Sequence, residues 1–364
     1  MSDVIFDLDG LRLVTEWNGC QTRVRLAPYV RWMLMRLAAL GHRLSICSTT
    51  SIEHTCQFLE TFGIDDCFQS IHCAGDEQAM VMFLREKAIG GDLCAYVGNR
   101  ACDFAFVREA GIVSIGIAYG YNDQESCTAA DYTADSARQV VDRVCQTAVY
   151  HALYSALIRD GDRRQIGING VDTSGKTTFS EGLARYLASR RIPCVVVHAD
   201  DFHFPSDVRN QGMDPAESYY RNAFDYERLV REVLAPMKAD GMLRRDVICL
   251  NLHTDRYEKT LRLDIGPETV VLIEGVLLFR EPVDSYLDAR IFVRIPFSEV
   301  LRRASVRDVP THGMNYLDRY RVRFIPAERR YLQEYNPEIR SDAVVDNRNY
   351  NRPRLLRLAG GSSQ

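Results

Sequence analysis

The stretch Gln165-Ile166-Gly167-Ile168-Asn169-Gly170-Val171-Asp172-Thr173-Ser174-Gly175-Lys176-Thr177-Thr178 decides how this chain is read. An apolar strand-like run enters the pattern G-x-x-x-x-G-K-[ST], and an amphipathic helical pattern leaves it through Leu187. Strand, glycine loop and helix in that order are what phosphate binding requires. Glycines let the backbone curl so that successive amide N–H groups and the helix N-terminus face the phosphates. Lys176 is placed to reach the β- and γ-phosphates, and the Thr177 hydroxyl to ligate Mg²⁺. Gly170, Asp172, Thr173, Ser174, Gly175, Lys176, Thr177 and Thr178 are therefore the expected contacts to ATP or GTP.

Downstream, the apolar run Val195-Val196-Val197 leads into His198-Ala199-Asp200-Asp201-Phe202-His203 and delivers two carboxylates at a strand's C-terminal end, where ligands sit in open α/β sheets. Asp200 is favoured as the acceptor of a hydroxyl proton because it lies closer to the strand end. A helix N-cap pair is the competing reading. Thr269-Val270-Val271-Leu272-Ile273 ends in Glu274-Gly275, a carboxylate placed to hold Mg²⁺ together with Thr177. Many buried parallel strands look similar, so this run gains weight only beside the glycine loop. Arg303 and Arg307 fall four apart, on one helix face. Such a pair either closes over a triphosphate or forms a solvated basic face.

Short β-rich runs alternate with helical patterns on both sides of residue 160, the rhythm of parallel sheets covered by helices. The expected fold class is α/β, with two doubly wound parallel-sheet domains. The first spans residues 1–140. Residues 141–164 read as a helical linker, from the three-to-four spacing of Val140, Val141, Val144, Val149, Leu153 and Leu157 to the polar run Arg159 to Arg164. The second domain spans 165–353, and 354–364 reads as a tail whose last residues, Gly360 to Gln364, are expected to be disordered.

With 364 residues, 46% of them hydrophobic and 26% charged, the chain has material for two cores. A net charge of −4 disfavours a nucleic-acid partner, which calls for a basic face. Eleven cysteines without a C-x-x-C pair, no signal-like segment and no apolar run near the ~20 residues of a membrane span lead to an expected soluble, cytoplasmic protein with reduced thiols.

The second half resembles the uridine kinase and phosphoribulokinase group of P-loop kinases over about Gln165 to Pro353. The matching residues are the glycine loop, Asp200-Asp201-Phe202-His203, Tyr219 to Asp225, Glu274 to Leu278, Arg303-x-x-x-Arg307-Asp308, and Arg319-Tyr320 leading to Pro326. The resemblance implies ATP- or GTP-dependent phosphorylation of a hydroxyl of a small molecule, a nucleoside first, with Asp200 as base and Lys176, Arg303 and Arg307 around the phosphates. His203 stands where uridine kinases have Tyr, and Leu250 to Tyr257 lies where that family contacts its nucleoside.

The first half has its own signature, Val4-Ile5-Phe6-Asp7-Leu8-Asp9-Gly10, similar to the first motif of the haloacid dehalogenase superfamily. That resemblance implies Asp7 as a nucleophile toward phosphorus, Asp9 as acid and base, and Mg²⁺ held by Asp7, Asp9 and Asp103. Ser48 fits the second motif, and Gly98-Asn99-Arg100-Ala101-Cys102-Asp103 with Gly116 to Tyr121 fits the fourth, with Asn99 where Asp is usual. The third-motif lysine is missing from its usual place, and Lys87 is the nearest candidate. The short sequence between the first two motifs leaves little or no room for a cap. A working phosphatase and a structural domain stand as alternatives. For the whole chain, a polynucleotide kinase-phosphatase and a non-catalytic nucleotide sensor are the other readings. A nucleoside triphosphate and a small hydroxyl-bearing substrate are the expected partners, no membrane is expected, and a homo-oligomer is left open.

Overall fold

In the computed structural model, which describes residues 2–17, 21–89, 91, 93–119 and 127–359, the apolar runs become buried parallel strands. The chain divides into two units, residues 1–152 with 189–191, and residues 153–188 with 192–364. Gly120, Tyr121 and the segment Gly360 to Gln364 lie outside the described residues.

In the first unit, β1 (Asp3–Asp7) is followed by an antiparallel hairpin, β2 (Arg12–Trp17) with β3 (Gln21–Leu26). Then come β4 (Arg43–Ser48), β5 (Ser70–Cys73), β6 (Leu93–Gly98), β7 (Ser114–Ile117) and β8 (Tyr132–Ala134). The sheet order is β5-β4-β1-β6-β7-β8, all parallel. Counting this sheet's strands in chain order, that is 3-2-1-4-5-6, so the order reverses between β1 and β6, the position where such sheets open a crevice. Val4, Phe6 and Val97 are fully buried, which is why these strands read as continuous apolar runs rather than alternating ones. β8, with three residues, Tyr132, Thr133 and Ala134, is too short to show a period in the sequence.

The helix Ala137–Leu157 follows, with Val140, Val141, Val144 and Leu153 fully buried. Their spacing marks a packed stripe rather than a solvated spacer.

In the second unit, β9 (Gln165–Asn169) enters the glycine loop and the helix Lys176–Ser189 leaves it. β10 (Cys194–His198) follows, then an antiparallel hairpin of β11 (Leu243–Asn251) and β12 (Arg256–Ile265), then β13 (Val270–Gly275), β14 (Ala289–Arg294), β15 (Ala343–Asp346) and β16 (Arg354–Leu358). The order is β10-β13-β9-β14-β15-β16, parallel except for β16. β16 takes residues 354–358 out of the expected tail and into the sheet edge. Its strand is half exposed, with Arg354 and Arg357 among leucines, so it lacks the solid apolar run of its neighbours.

Register sets the site. His198 lies opposite Glu274, and Glu274 opposite Ile168, so three strands end level beside Gly170. Two helical stretches widen into π turns, Val230–Leu234 and Tyr320–Phe324, immediately ahead of Ala235-Pro236 and Ile325-Pro326. Proline lacks an N–H and its ring crowds the carbonyl of the preceding turn, and a wider turn relieves that clash.

Candidate active sites

The loop after β9 can run only where no side chain stands. A Cβ on Gly170 would lie 2.4 Å from the Val293 carbonyl oxygen of β14, and Gly175 takes φ +86°, in the left-handed region open to glycine. Thr173 is a non-glycine at φ +56°, held there by its hydroxyl donating to the Val300 carbonyl at 3.2 Å. Asn347, just past β15, donates to the Ser174 carbonyl at 2.7 Å. Arg303 donates to the Thr173 and Ser174 carbonyls at 3.0 and 3.2 Å. The loop is thus braced from behind.

Asp172, Thr173, Gly175, Lys176, Thr177, Thr178, Asp200, Glu274, Arg303 and Arg307 line one cavity of about 280 Å³. A larger one, of about 610 Å³, lies elsewhere in the same unit and contains neither Lys176 nor Asp200; the smaller cavity holds the chemistry. Lys176 Nζ donates to the Val171 carbonyl at 3.0 Å. Thr177 Oγ1 donates to Glu274 Oε1 at 2.9 Å, and His198 Nδ1 stands 2.8 Å from the same oxygen. Burial pushes the Glu274 carboxyl up, but the His198 hydrogen bond, the Lys176 charge and the Thr177 hydroxyl together hold it below its ordinary value. His198 is raised in turn, first by its hydrogen bond to Glu274. The two sequence-adjacent acids part company on the turn Ala199–Phe202. Asp200 faces the cavity, while the buried Asp201 is ion-paired with Lys259 of β12.

A hydroxyl and an ionised carboxylate side by side at a phosphate-sized cavity suit magnesium. The buried Ser174 hydroxyl, without a partner among the described residues, faces the same loop that would wrap the phosphates. Among the described residues no three His, Cys, Asp or Glu side chains gather closely enough to cage a metal. A cation here would rest on Thr177, Glu274, phosphate oxygens and water.

Sequence reasoning missed Glu328. It is 1% exposed, accepts from the Asp172 amide, and its second oxygen has no partner among the described residues. Burial, then the charge of Asp172, pushes its carboxyl well above the ordinary range. Asp172 is raised as well, by burial, with Lys176 pulling the other way. Tyr219 OH donates to Asp172 Oδ2 at 3.4 Å. Glu328 stands two residues past Pro326, but no spacing rule links a distant helix to the loop.

In the first unit, Asp7 ends β1 and accepts from the Gly10 amide at 3.1 Å. Tyr96 OH donates to the buried Asp103 at 3.1 Å, and Arg100 Nε stands 3.8 Å from Asp103. Ser48 ends β4, its hydroxyl accepting from the Thr50 amide at 3.0 Å. Burial, then the charges of Asp9 and Asp103, push Asp7 up to about 7, while the Gly10 amide and Arg100 pull it down. Asp9 is ion-paired with Arg12, whose amide also takes the Asp9 carbonyl. Lys87 stands 5.7 Å over the Phe83 ring; the cation that acts on Asp7 is Arg100. The neighbouring Cys47 thiol is pushed up to about 12, first by burial, and stays an inert core group.

Residues 10–117 match the family model described as haloacid dehalogenase-like hydrolase. Uridine-cytidine kinase B of Dictyostelium discoideum is 30% identical over 152 residues, 41% of this chain and 59% of that protein. Human nicotinamide riboside kinase 1 is 30% identical over 156 residues, 42% of this chain and 70% of its own length. A solved structure described as a possible uridine kinase from Bacillus stearothermophilus is 24% identical, covering 57% of this chain and 97% of its own at a TM-score of 0.42.

The raised Asp7 sets a pH-dependent expectation. Between the ordinary value of 3.8 and about 7, the folded chain binds this proton and the unfolded chain does not, so stability falls as pH rises through that window. Asp7→Asn keeps an acceptor for the Gly10 amide and removes the charge. In chelator-treated buffer it raises the melting temperature at pH 8, by an amount equivalent to roughly 2–4 kcal/mol, and the advantage shrinks below pH 7 and disappears near pH 4. Scanning calorimetry of both proteins across this range reads the trend, and a constant or reversed difference contradicts it.

Proposed function

The chain belongs to the family of uridine and nicotinamide riboside kinases, and we propose that its second unit transfers the γ-phosphoryl group of ATP to a hydroxyl of a small molecule. The observation that carries this reading is the meeting of Asp200 with Lys176, Thr177, Glu274, Arg303 and Arg307 around one cavity. Asp200 takes the proton of the acceptor hydroxyl as its oxygen bonds to phosphorus, and the bridging P–O bond breaks, with ADP leaving with the electron pair. Lys176 and the arginines neutralise charge on the oxygens during transfer. Thr177 and Glu274 would hold magnesium, which when bound offsets the negative charge of the phosphates. A nucleotide sensor has no use for an acid open to the cavity beside the phosphate loop. That distinction favours an enzyme.

For the first unit we infer a magnesium-dependent phosphatase. Asp7 ends β1 and feels the charge of Asp103 from the first turn of the helix Ala101–Glu109, and Ser48, at the end of β4, would orient a phosphoryl group. Two buried like charges without a cation are costly for a structural domain to keep. Asp7 attacks phosphorus and Asp9 protonates the leaving oxygen. Water, deprotonated by Asp9, then displaces the aspartate and releases inorganic phosphate.

Lys176→Ala abolishes ADP release while leaving the melting curve nearly unchanged, because the loop is braced by other residues. Full turnover in that variant refutes the phosphate loop as the active element. Asp200→Asn lowers the turnover number by ~10²-fold or more, the scale of a general base, with little effect on stability; should Asp201→Asn be the variant that silences a still-folded protein, the other carboxylate is the base. For the first unit, the full chain hydrolyses an aryl phosphate with a rate that rises with Mg²⁺, and Asp7→Asn removes it. Equal rates for both proteins at every Mg²⁺ concentration would leave this unit a scaffold.

A further inference from the structure

Beside the cavity of the second unit, three guanidiniums gather with one carboxylate between them. Arg209 is paired with Asp255 at 3.0 Å. Arg323 donates only to neutral oxygens, Asn210 Oδ1 at 2.7 Å and the Arg209 carbonyl at 3.0 Å, and its buried Nε has no partner among the described residues. Arg319 makes no ion pair among the described residues and lies over the rings of Tyr316 and Phe324, at 5.1 and 6.0 Å. The acids of the same segments are engaged elsewhere: Asp318 with Arg321, and Asp308 with Arg307 and Tyr320.

This cluster is joined to the reacting end by one side chain. Arg323 stands 5.7 Å from the Tyr219 ring centroid, and the Tyr219 hydroxyl donates to Asp172, which lines the cavity with Asp200. The Tyr219 ring thus stands between Arg323 and the acid Asp172 of the cavity. Solvated surface arginines cost little, but Arg323 is half-buried, and burial followed by the charges of Arg319 and Arg209 lowers its proton affinity. The uncompensated positive charge is built into the fold behind Tyr219. Guanidinium forks fit the paired oxygens of phosphates and carboxylates.

We propose that the phosphoryl acceptor is an anionic hydroxyl compound, whose phosphate or carboxylate is held by Arg323 and Arg319 while its hydroxyl meets Asp200. The proposal rests on the kinase reading above. It separates this chain from kinases whose acceptor is uncharged, such as uridine, because a neutral molecule leaves the arginine pair unanswered at the cost of its desolvation. Asp172 and Asp200 at one end and the arginines at the other impose an orientation: an anionic group is repelled from the carboxylates, so the hydroxyl end enters first.

The test uses the full chain and matched pairs: ribose 5-phosphate against ribose, pantothenate against pantothenol, and glycerate against glycerol, with ADP release as readout. The anionic member of the accepted pair has a kcat/KM at least about tenfold above its neutral partner, the scale of one charge-assisted contact. Arg323→Met cuts that ratio at least tenfold, and Arg323→Lys restores part of it. The pairs also separate phosphate from carboxylate as the anion. Equal use of both members, or a ratio untouched by Arg323→Met and Arg319→Met in folded proteins, overturns the proposal. A second arm measures binding of inorganic phosphate with the loop saturated by ADP and Mg²⁺. Phosphate held by the wild type and released by both methionine variants supports the anion site even where no acceptor yields ADP above the Lys176→Ala background, a result that would overturn the kinase reading alone. Phosphate binding identical in wild type and variants counts against the anion site.

Discussion

The approach of Gly170 to the Val293 carbonyl is the constraint on which the second unit's site depends. With only 2.4 Å between that oxygen and the place a Cβ would take, the loop lies flat against β14, and every later atom of the turn inherits its position. Ser174 and Gly175 then come within reach of Asn347, and the Thr173 and Ser174 carbonyls within reach of Arg303. These braces arrive from β15 and from the helix Phe297–Arg307, elements far apart in sequence that a parallel sheet brings to one edge. Because the loop is held from several sides, Thr173 can stay at φ +56°, a conformation that costs on the order of 1–3 kcal/mol where nothing enforces it.

Both units hold clustered acids at their candidate sites. Asp7 faces Asp103 in one, and Asp172 faces Glu328 and Asp200 in the other. The two solutions differ. Near the phosphate loop a cation is already present, Lys176, and it lowers Asp172 against its burial, while Glu328 is driven toward its neutral form and accepts an amide instead of repelling a charge. Beside Asp7 an amide and the more distant Arg100 oppose the rise without offsetting burial and the neighbouring carboxylates. The first arrangement is largely balanced within the chain, and the second is left in need of a bound cation.

What was legible in the sequence is what local spacing can carry. The glycine loop, the acid ending β13 and the apolar strands all follow from neighbours within a few residues. Asp200 was separable from Asp201 only by its nearness to the strand end, and the physical reason for the difference, Lys259 on the β11–β12 hairpin, lies 58 residues further on. Glu328 and Asn347 left no trace as site residues, and Tyr219 showed only as part of a matching stretch, because each acts through a contact set by the sheet. The same holds for Arg100. The missing lysine pointed to Lys87, yet that ammonium rests over Phe83, and no count of residues along the chain could have exchanged one for the other. β8 and β16 escaped for the opposite reason, being short or half-exposed strands whose order is imposed by a neighbouring edge.

The phosphatase proposed for the first unit turns on the charge of Asp7. A carboxyl attacks phosphorus only when ionised, and at about 7 a large share of Asp7 is protonated at neutral pH. A cation held near Asp7 and Asp103 would exchange repulsion for attraction and favour the ionised carboxylate. Asn99 acts in two directions on that equilibrium. A third carboxylate at that position would raise Asp7 further, so the neutral amide leaves a smaller deficit for the cation to offset, but it also withdraws charge that would help hold the cation. Arg100 changes the balance again. Standing 3.8 Å from Asp103 and three residues before it, the guanidinium sits on the same turn as that carboxylate, where a lysine on a separate helix would be anchored independently. Arg100 and Asp103 therefore share one turn, and the charge balance around Asp7 depends on the order of that turn.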